Sequence, residues 1–262
     1  MLEKILAHKK EEVAAQKARR PPAALAGAAE EPRRQFAGAL RQPDRLSVIA
    51  EIKPASPGRG RLKADIDPGG IARVYAEAGA AAVSVLTDTA FFQGSPENLV
   101  QARKHTTVPI LHKDFVIDPY QLYLSRLWGA DAVLLIVAAC PGGLLAELLA
   151  EAAALGLECL VEVHTPGELD RALGAGADLL AINNRDLFTM EVDFETTFRL
   201  LPRIDLDRVT LVSASAIGSP VQIRRLAAHG VHAALVGTAL MAGREPGRVL
   251  AELLGECRYG QG

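Results

Sequence analysis

The stretch ECLVEVHTPGELDRALGAGADLLAINNR, residues 158–185, contains the repeating unit from which the fold is built. Its apolar run 158–163 is followed by Thr165-Pro166, a helix-capping side chain before a proline that suits the first helical position. Gly176 precedes a second apolar run, 178–184, as expected where a helix ends in a left-handed turn. The stretch therefore predicts a strand, a helix and a second strand.

The same unit recurs along the whole chain. Short runs rich in Val, Ile and Leu are mostly apolar on both faces, which is typical of parallel strands covered by helices. Their first residues lie roughly 20 to 35 positions apart, so each gap has room for one helix. The predicted strands are residues 46–53, 81–87, 108–113, 132–137, 158–163, 178–184, 209–214 and 233–237.

Helix boundaries accompany these strands. A capping side chain stands directly before a proline at Asp67-Pro68, Ser95-Pro96, Asp118-Pro119, Thr165-Pro166 and Ser219-Pro220, and each pair predicts a helix start. Thr165 with Glu168 and Ser219 with Gln222 also have the spacing of a capping box. Glycines shortly before strands predict helix ends, at Gly79, Gly129, Gly176 and Gly230.

Eight strands that alternate with helices form either a closed barrel or an open, doubly wound sheet. The fingerprint G-x-G-x-x-G does not follow the first strand, which disfavours the open sheet. We therefore predict an α/β fold, a (β/α)8 TIM barrel, with residues 1–262 as a single domain. Residues 1–45 precede the first strand, and we expect them to be a helical extension packed on the barrel. Its amphipathic pattern rests on Leu2, Ile5, Leu6 and Val13.

Composition excludes several classes of partner. The 262 residues are 49% hydrophobic and 23% charged with a net charge of -2, an ordinary globular balance without a nucleic-acid footprint. The basic residues from Lys9-Lys10 to Arg19-Arg20 are interleaved with Glu11 and Glu12, and we interpret them as a solvated helix face. The longest apolar run, 132–140, is well short of the ~20 residues that cross a bilayer. We predict neither a nucleic-acid nor a membrane partner.

The cysteines indicate no special chemistry. Cys140, Cys159 and Cys257 fit no metal spacing, and we expect each to be a small buried apolar residue in a reducing, cytoplasmic setting. The first residues include Glu3 and lack the apolar core of a signal peptide. Histidines give no convincing metal-ligand pair either, so we predict no metal; they include His112, His164, His229 and His232.

Polar side chains close four of the predicted strands. They are Glu51, Lys53, Lys113, Glu162, Asn183 and Arg185. A charge inside a buried strand is costly unless it is paired or used, and strand ends meet at one face of a barrel. Because alternate side chains share a face, Glu51 and Lys53 both point inward, whereas His112 and Asp114 face the helices. One shared active-site pocket is the functional interpretation, and a structural ion-pair network is the alternative.

The loops after the last two strands indicate an anion. Residues 213–218 and 236–239 are mostly small, which leaves backbone N–H groups accessible at the usual phosphate site of such barrels. The alternative is two close turns that need small residues. Phe92, Phe115 and Leu134 lie near strand ends and are placed to clasp a flat ring, although singly each is more often part of a core.

Seven motifs, in order along nearly the whole chain, carry a resemblance. They are Glu51-Ile52-Lys53-Pro54-Ala55-Ser56-Pro57, Leu86-Thr87-Asp88 with Phe91-Phe92-Gln93-Gly94-Ser95, Lys113-Asp114-Phe115, Leu134-Leu135-Ile136, Val161-Glu162-Val163, Ile182-Asn183-Asn184-Arg185-Asp186-Leu187 and Leu235-Val236-Gly237-Thr238. This series resembles the indole-3-glycerol phosphate synthase family. One such tripeptide is weak, but seven in register are specific.

The resemblance implies an enzyme of tryptophan biosynthesis. That family converts 1-(2-carboxyphenylamino)-1-deoxyribulose 5-phosphate to indole-3-glycerol phosphate with release of CO2 and water, and it needs no cofactor. The expected partner is thus a phosphorylated small molecule, and the expected assembly is a monomer or a weak homo-oligomer.

The resemblance also assigns roles. Lys113 is the candidate general acid, Lys53 holds the substrate carboxylate or shares the acid role, and Glu162 assists loss of water. Glu51 and Asn183 position the lysines and the leaving hydroxyl. Substrate-binding residues are Ser56, Phe92, Phe115, Leu134, Arg185, Leu187 and Leu235, with Ser56 near the phosphate. Phosphate-binding residues are Ser215, Ala216, Gly237 and Thr238.

One departure from the family pattern concerns the seventh strand. It usually ends in Glu-Ser-Gly, whereas this chain has Ala214-Ser215-Ala216. The missing carboxylate at 214 removes a negative charge beside the lysines, and the Cβ of Ala216 restricts the turn. We hypothesise reduced activity, or compensation by another carboxylate. The alternatives are a ligand-binding but catalytically weakened barrel, and a barrel like phosphoribosylanthranilate isomerase, which does not require Lys53, Lys113 and Glu162 together.

Overall fold

The computed structural model describes residues 1–21, 25, 32–56, 60–62, 66–243, 245–255 and 257. Eight parallel strands form a closed barrel, and they are β1 (Ser47–Ile52), β2 (Ala82–Leu86), β3 (Ile110–Lys113), β4 (Ala132–Ile136), β5 (Glu158–Val163), β6 (Leu179–Asn183), β7 (Thr210–Ala214) and β8 (Ala233–Val236). Closure is made where β1 pairs with β8, with Ser47 opposite Ala233. The predicted (β/α)8 barrel is confirmed, and every strand ends within two residues of its prediction.

Helices alternate with these strands. They are α1 (Leu2–Arg19), α2 (Phe36–Leu40), α3 (Pro68–Glu77), α4 (Thr89–Phe92), α5 (Pro96–His105), α6 (Pro119–Leu127), α7 (Leu144–Leu155), α8 (Pro166–Gly174), α9 (Glu195–Leu200), α10 (Pro220–Ala228), α11 (Thr238–Ala242) and α12 (Pro246–Leu254). Short 3-10 turns cover Val137–Ala139 and Leu201–Arg203, and a ribbon pairs Ala55–Ser56 with Gly60–Arg61.

The predicted helix boundaries are present. Each of the five capping side chains accepts a hydrogen bond from a first-turn N–H group, with proline at the start of the helix. The four predicted helix-ending glycines have φ between 72° and 97°. Ser219 and Gln222 form the complete capping box. At Thr165 the box is incomplete, because the Glu168 carboxylate accepts from the N–H of His164 instead, the first residue beyond the β5 ladder.

Apolar side chains form two layers, one between strands and outer helices and one inside the barrel. The extension contributes to the inner layer at both ends of the barrel. Leu2 and Ile5 of α1 belong to it, and so do Phe36 and Leu40 of α2. Glu158, at the amino end of β5, accepts from the N–H of Ala37 at 2.9 Å, so α2 lies at the bottom face.

The interpretation of Lys9 as part of a solvated face was wrong. Lys9 is 1% exposed, whereas its neighbour Lys10 is exposed. Helical spacing explains the difference, since Lys9 follows Ile5 by four residues and precedes Val13 by four, so all three share the buried stripe. A charge on this stripe needs partners, and Lys9 has three: Glu12, Asp88 and Asp114.

The cysteines differ in burial, and one of the three departs from the prediction. Cys140 and Cys257 are buried, but Cys159 is only partly buried, because it lies at the amino end of β5 near the surface. Burial raises the pKa of the Cys140 thiol to about 11, despite the opposing charge of Arg171. In the described part of the chain, no helix combines the length and apolar character required to span a membrane.

Candidate active site

A cavity of about 600 Å³ opens where the barrel strands end. The side chains predicted at the site line this one cavity, apart from Ser56, whose side chain lies outside the described residues. They are Glu51, Lys53, Phe92, Lys113, Phe115, Leu134, Glu162, Asn183, Arg185, Leu187, Ser215, Ala216, Leu235, Gly237 and Thr238. Its volume suits a small organic ligand.

Two lysine–carboxylate pairs face this cavity. The Nζ of Lys53 lies 2.8 Å from Oε1 of Glu51, and the Nζ of Lys113 lies 3.6 Å from Oε2 of Glu162. The side-chain amide of Asn183 donates to the other oxygen of Glu162 at 2.9 Å. Both carboxylates are 3% exposed, so water screens these charges weakly. Glu51 and Lys53 are at hydrogen-bond distance, whereas Glu162 and Lys113 form a longer ion pair.

The pairing favours the charged forms of Glu51 and Lys113. Burial alone would raise the pKa of Glu51, but the charges of Lys53 and Lys113 outweigh it, and the pKa lies below its usual value. Burial would likewise lower the pKa of Lys113, but Glu162 and Glu51 raise it above the ordinary value. Lys113 is thus protonated at neutral pH and available as a proton donor.

The loop after β6 orients Arg185. The side-chain oxygen of Asn183 accepts from the Arg185 N–H at 3.0 Å, and the guanidinium donates to the carbonyl of Met190 at 3.0 Å. Arg185 also forms an isolated bridge with Val192, which folds the loop back across the mouth. A cation is thereby held beside Asn183 with little freedom to move.

An apolar wall occupies the side of the cavity next to β2, β3 and β4. The rings of Phe92 and Phe115 are tilted at 35° with centroids 6.0 Å apart, and Leu134 belongs to the same buried cluster. Such a wall favours a flat aromatic group over a charged one.

The opposite side is built from small residues in a tight conformation. Ser215 and Ala216 have φ of 64° and 62°, a left-handed region that disfavours any Cβ. Asn184 donates to the Ser215 carbonyl at 3.1 Å, and the Gln222 amide donates to the Ala216 carbonyl. Hydrogen bonds from Asn184 and Gln222 therefore stabilise a left-handed loop conformation that Ser215 and Ala216 themselves disfavour.

A steric constraint requires glycine at position 237. A Cβ at this position would overlap the carboxylate of Glu51 and lie 3.1 Å from its Cβ. Only glycine lets the loop after β8 approach the Glu51–Lys53 pair this closely.

Several residues that matter to this geometry escaped the sequence prediction. Asn184 and Gln222 support the small-residue loop, and Lys9 contacts Asp88 and Asp114 beside the apolar wall. Gln222 was predicted only as part of a capping box with Ser219. That three-residue spacing gives no indication of its hydrogen bond to the Ala216 carbonyl. The helical spacing of Lys9 with Ile5 was a usable signal for burial.

His112 and Asp114, which were predicted to face the helices, both have structural partners. His112 faces the helices as expected, with Nδ1 2.7 Å from the hydroxyl of Ser125 on α6. Asp114 instead turns to α1, where it meets Lys9 at 2.9 Å. Among the described residues, no His, Cys, Asp and Glu side chains are grouped as a metal site requires.

Comparison with solved structures shows the fold. The chain superposes on 3-hexulose-6-phosphate synthase from Salmonella typhimurium with a TM-score of 0.61 at 15% identity, covering 80% of this chain and 98% of that one. Thiamine phosphate pyrophosphorylase from Pyrococcus furiosus gives the same TM-score at 18% identity, over 85% of this chain and 97% of that one. At such identities the likeness concerns the barrel alone.

Comparison of sequences shows the family. The family model described as indole-3-glycerol phosphate synthase matches residues 2–253. A protein of that name from Polaromonas naphthalenivorans (strain CJ2) is 47% identical over 261 residues, 98% of this chain and 99% of its own. One from Laribacter hongkongensis (strain HLHK9) is 46% identical over 258 residues, 97% of this chain and 98% of its own. The chain belongs to the indole-3-glycerol phosphate synthase family.

This member of the indole-3-glycerol phosphate synthase family has alanine at a left-handed position, which leads to a stability prediction. Ala216→Gly should stabilise the protein by about 0.5–1 kcal/mol, because the left-handed cost exceeds the entropy that glycine adds to the unfolded chain. The melting temperature should rise by about 1–4 °C in a thermal scan. Ala175→Gly is the matched control, since Ala175 has φ of -83° and should lose stability. A fall at both positions would contradict the strain assigned to Ala216.

Proposed function

We propose that this protein closes the indole ring of 1-(2-carboxyphenylamino)-1-deoxyribulose 5-phosphate and releases CO2, water and indole-3-glycerol phosphate. The observation that carries the proposal is the convergence of the Glu51–Lys53 and Lys113–Glu162 pairs on one cavity that also has an apolar wall and a small-residue loop. Family membership favours this reaction over the isomerase-like alternative. In chemical class, the enzyme is a carbon–carbon lyase.

The first step joins two carbons. The ring carbon that bears the carboxylate attacks the ribulose ketone carbon, and the ketone oxygen takes a proton to become a hydroxyl. Lys113 is the donor, because it is protonated at neutral pH and lines the cavity between Glu162 and Glu51. The carboxylate then leaves as CO2, and the electrons of the broken bond restore the aromatic ring. Lys53 binds that carboxylate or shares the proton donation.

The second step removes water. The new hydroxyl departs with a proton, and a proton is lost from the neighbouring ring carbon to complete the indole. Glu162 acts here as acid or base, because its carboxylate faces the cavity 3.6 Å from the Lys113 Nζ, and a small approach on substrate binding brings the two groups within proton-transfer distance. Asn183 keeps the Glu162 carboxylate oriented through its 2.9 Å hydrogen bond.

Substrate orientation supplies the remaining contribution. The phosphate binds at Ser215, Ala216, Gly237 and Thr238, where the lining side chains carry no charge. The anthranilate ring packs on Phe92, Phe115, Leu134, Leu187 and Leu235, and Arg185 orients the ring end. A substrate bound at both ends is folded so that its two reacting carbons lie close together. Such positioning raises the rate of ring closure strongly, because the reacting groups no longer have to find each other.

A direct assay tests the proposal. Purified protein is mixed with carboxyphenylamino-deoxyribulose phosphate, and indole fluorescence is followed over time without added metal or cofactor. A rise in fluorescence that Lys113→Met abolishes supports the synthase reaction. A flat trace from folded protein that still binds the substrate rejects it in favour of a weakened barrel.

Ala214 is the observation that keeps the weakened barrel as a second candidate. It lines the cavity beside Asn183 in the β6–β7 ladder, where the family pattern has a carboxylate. Ala214→Glu should increase kcat several-fold by restoring a negative charge near the lysines. Ala214→Gln is the matched control for volume. If Glu at this position gives turnover equal to or below the native protein, the site does not need that group.

We further propose that the enzyme works as a monomer or weak homo-oligomer in a reducing cytoplasmic setting. Its partner is the phosphorylated substrate, with no role for nucleic acid, membrane, metal or cofactor. The net charge of -2 is consistent with the absence of a nucleic-acid partner. Sedimentation at micromolar concentration distinguishes the monomer from a stable oligomer.

A further inference from the structure

A lysine outside the predicted catalytic set is buried among three carboxylates. The Nζ of Lys9 on α1 lies 2.8 Å from Glu12, 3.0 Å from Asp88 and 2.9 Å from Asp114. Lys9 is 1% exposed and Asp88 is fully buried. Burying a cation is unfavourable without such partners, so the arrangement requires an explanation.

Both distant carboxylates belong to the strand ends that build the apolar wall. Asp88 follows β2 and accepts from the N–H of Phe91 at 2.8 Å, which starts the short helix α4 that carries Phe92. Asp114 directly follows Lys113 and accepts from the N–H of Phe115 at 2.7 Å. The two carboxylates thus orient the backbone that presents Phe92 and Phe115 to the cavity.

The same helix reaches the other side of the mouth. The N–H of Leu2 donates to the carbonyl of Leu187 at 3.1 Å, and Leu187 lines the cavity after β6. Further along α1, His8 packs edge-on against Phe91 with ring centroids 5.9 Å apart. One helix therefore contacts loops on both sides of the cavity, and Lys9 is its ionic attachment to β2 and β3.

We propose that Lys9 is a positioning residue for the aromatic end of the substrate. Its charge draws Asp88 and Asp114 together and thereby sets the separation of Phe92 and Phe115, as well as the direction of Lys113 next to Asp114. This inference rests on the proposed function, because it assigns the ring to the Phe92–Phe115 wall and the phosphate to the opposite loop.

Electrostatics gives the physical reason. Burial alone would raise the pKa of Asp114, but the hydrogen bond with His112 and the charge of Lys9 hold it well below its usual range. Without Lys9, two buried carboxylates repel one another near the cavity, and one must take a proton or move. Movement by about 1 Å at a positioned group is enough to cost on the order of 100-fold in rate.

The experiment compares Lys9→Met, Lys9→Arg and Lys10→Met in the full chain. Lys10 is the neighbouring exposed lysine and serves as the matched control. For each variant, kcat and KM are measured well below its melting temperature, and inorganic phosphate is titrated as a competitive inhibitor. Lys9→Met should lower kcat/KM by about 10- to 100-fold while the inhibition constant for phosphate changes less than twofold. Lys9→Arg should recover much of the loss, and Lys10→Met should match the native protein.

Other outcomes separate the two proposals. A native protein that makes no indole product rejects the proposed function. If the native protein is active and Lys9→Met retains its kcat/KM, the positioning role of Lys9 is rejected. An equal loss of substrate and phosphate affinity also rejects it, since that result indicates general loosening of the barrel. Should Lys9→Met fail to fold, Asp88→Asn is the second variant, because it keeps the cap on the Phe91 N–H but removes one charge. It should raise KM for the substrate and leave the inhibition constant for phosphate unchanged.

Discussion

Lys113→Met should lower kcat by about 10²–10⁴-fold, with a smaller change in KM. Lys113 lines the cavity beside Glu162, the second group assigned to proton transfer, and this position makes it the proposed proton donor. Methionine keeps the length and the apolar stem but cannot protonate the ketone oxygen. The measurement is steady-state kinetics from indole fluorescence, with circular dichroism to verify that the variant folds.

Lys53→Met is the paired comparison. It also loses a cation at the mouth, where Lys53 lies 2.8 Å from Glu51, but its predicted role includes holding the substrate carboxylate. Its main effect should therefore be a higher KM, with a smaller fall in kcat. If Lys53→Met loses more kcat than Lys113→Met, the two lysines have exchanged roles.

Glu162→Gln should also lower kcat by about 10²–10⁴-fold, because glutamine can neither donate nor accept the proton in the loss of water. The substitution is nearly isosteric, and its side-chain oxygen can still accept the hydrogen bond from Asn183. Binding of substrate should change much less than turnover. Stopped-flow fluorescence and steady-state kinetics on the same preparation separate the two effects.

Glu162→Gln also makes a prediction about pH. Among the three carboxylates that raise the pKa of Lys113, Glu162 has the largest effect, ahead of Glu51 and Asp114, so removing it lowers that pKa. Residual activity needs protonated Lys113, and its alkaline limb should therefore move to lower pH. Glu158→Gln is the matched control, because Glu158 lies at the opposite end of β5 and contacts α2. An unchanged alkaline limb in Glu162→Gln would mean that Lys113 does not set it.

Local patterns were enough to derive the alternation of eight strands with helices. The apolar runs, the cap–proline pairs and the helix-ending glycines act within a few residues, and together they identified β1 to β8 and five helix starts. The polar strand ends were also predictable, because side-chain alternation and the rule that barrel strands end at one face place Glu51, Lys53, Lys113 and Glu162 in one mouth. The pattern itself was compatible with an open sheet as well, and the absence of a G-x-G-x-x-G fingerprint favoured the closed barrel.

Tertiary structure decided the contacts between segments far apart in the chain. The residues around Lys9 in the sequence do not indicate its contacts with Asp88 and Asp114, which lie about eighty and a hundred positions away. The neighbouring charges predicted an exposed helix face, and only the packing of α1 on the barrel shows that Lys9 is buried. Similarly, Gln222 supports Ala216 only because the chain turns through two left-handed residues. Sequence spacing determines which face of a helix or strand a side chain occupies, whereas its partner depends on how those faces pack, and that packing is a property of the closed barrel.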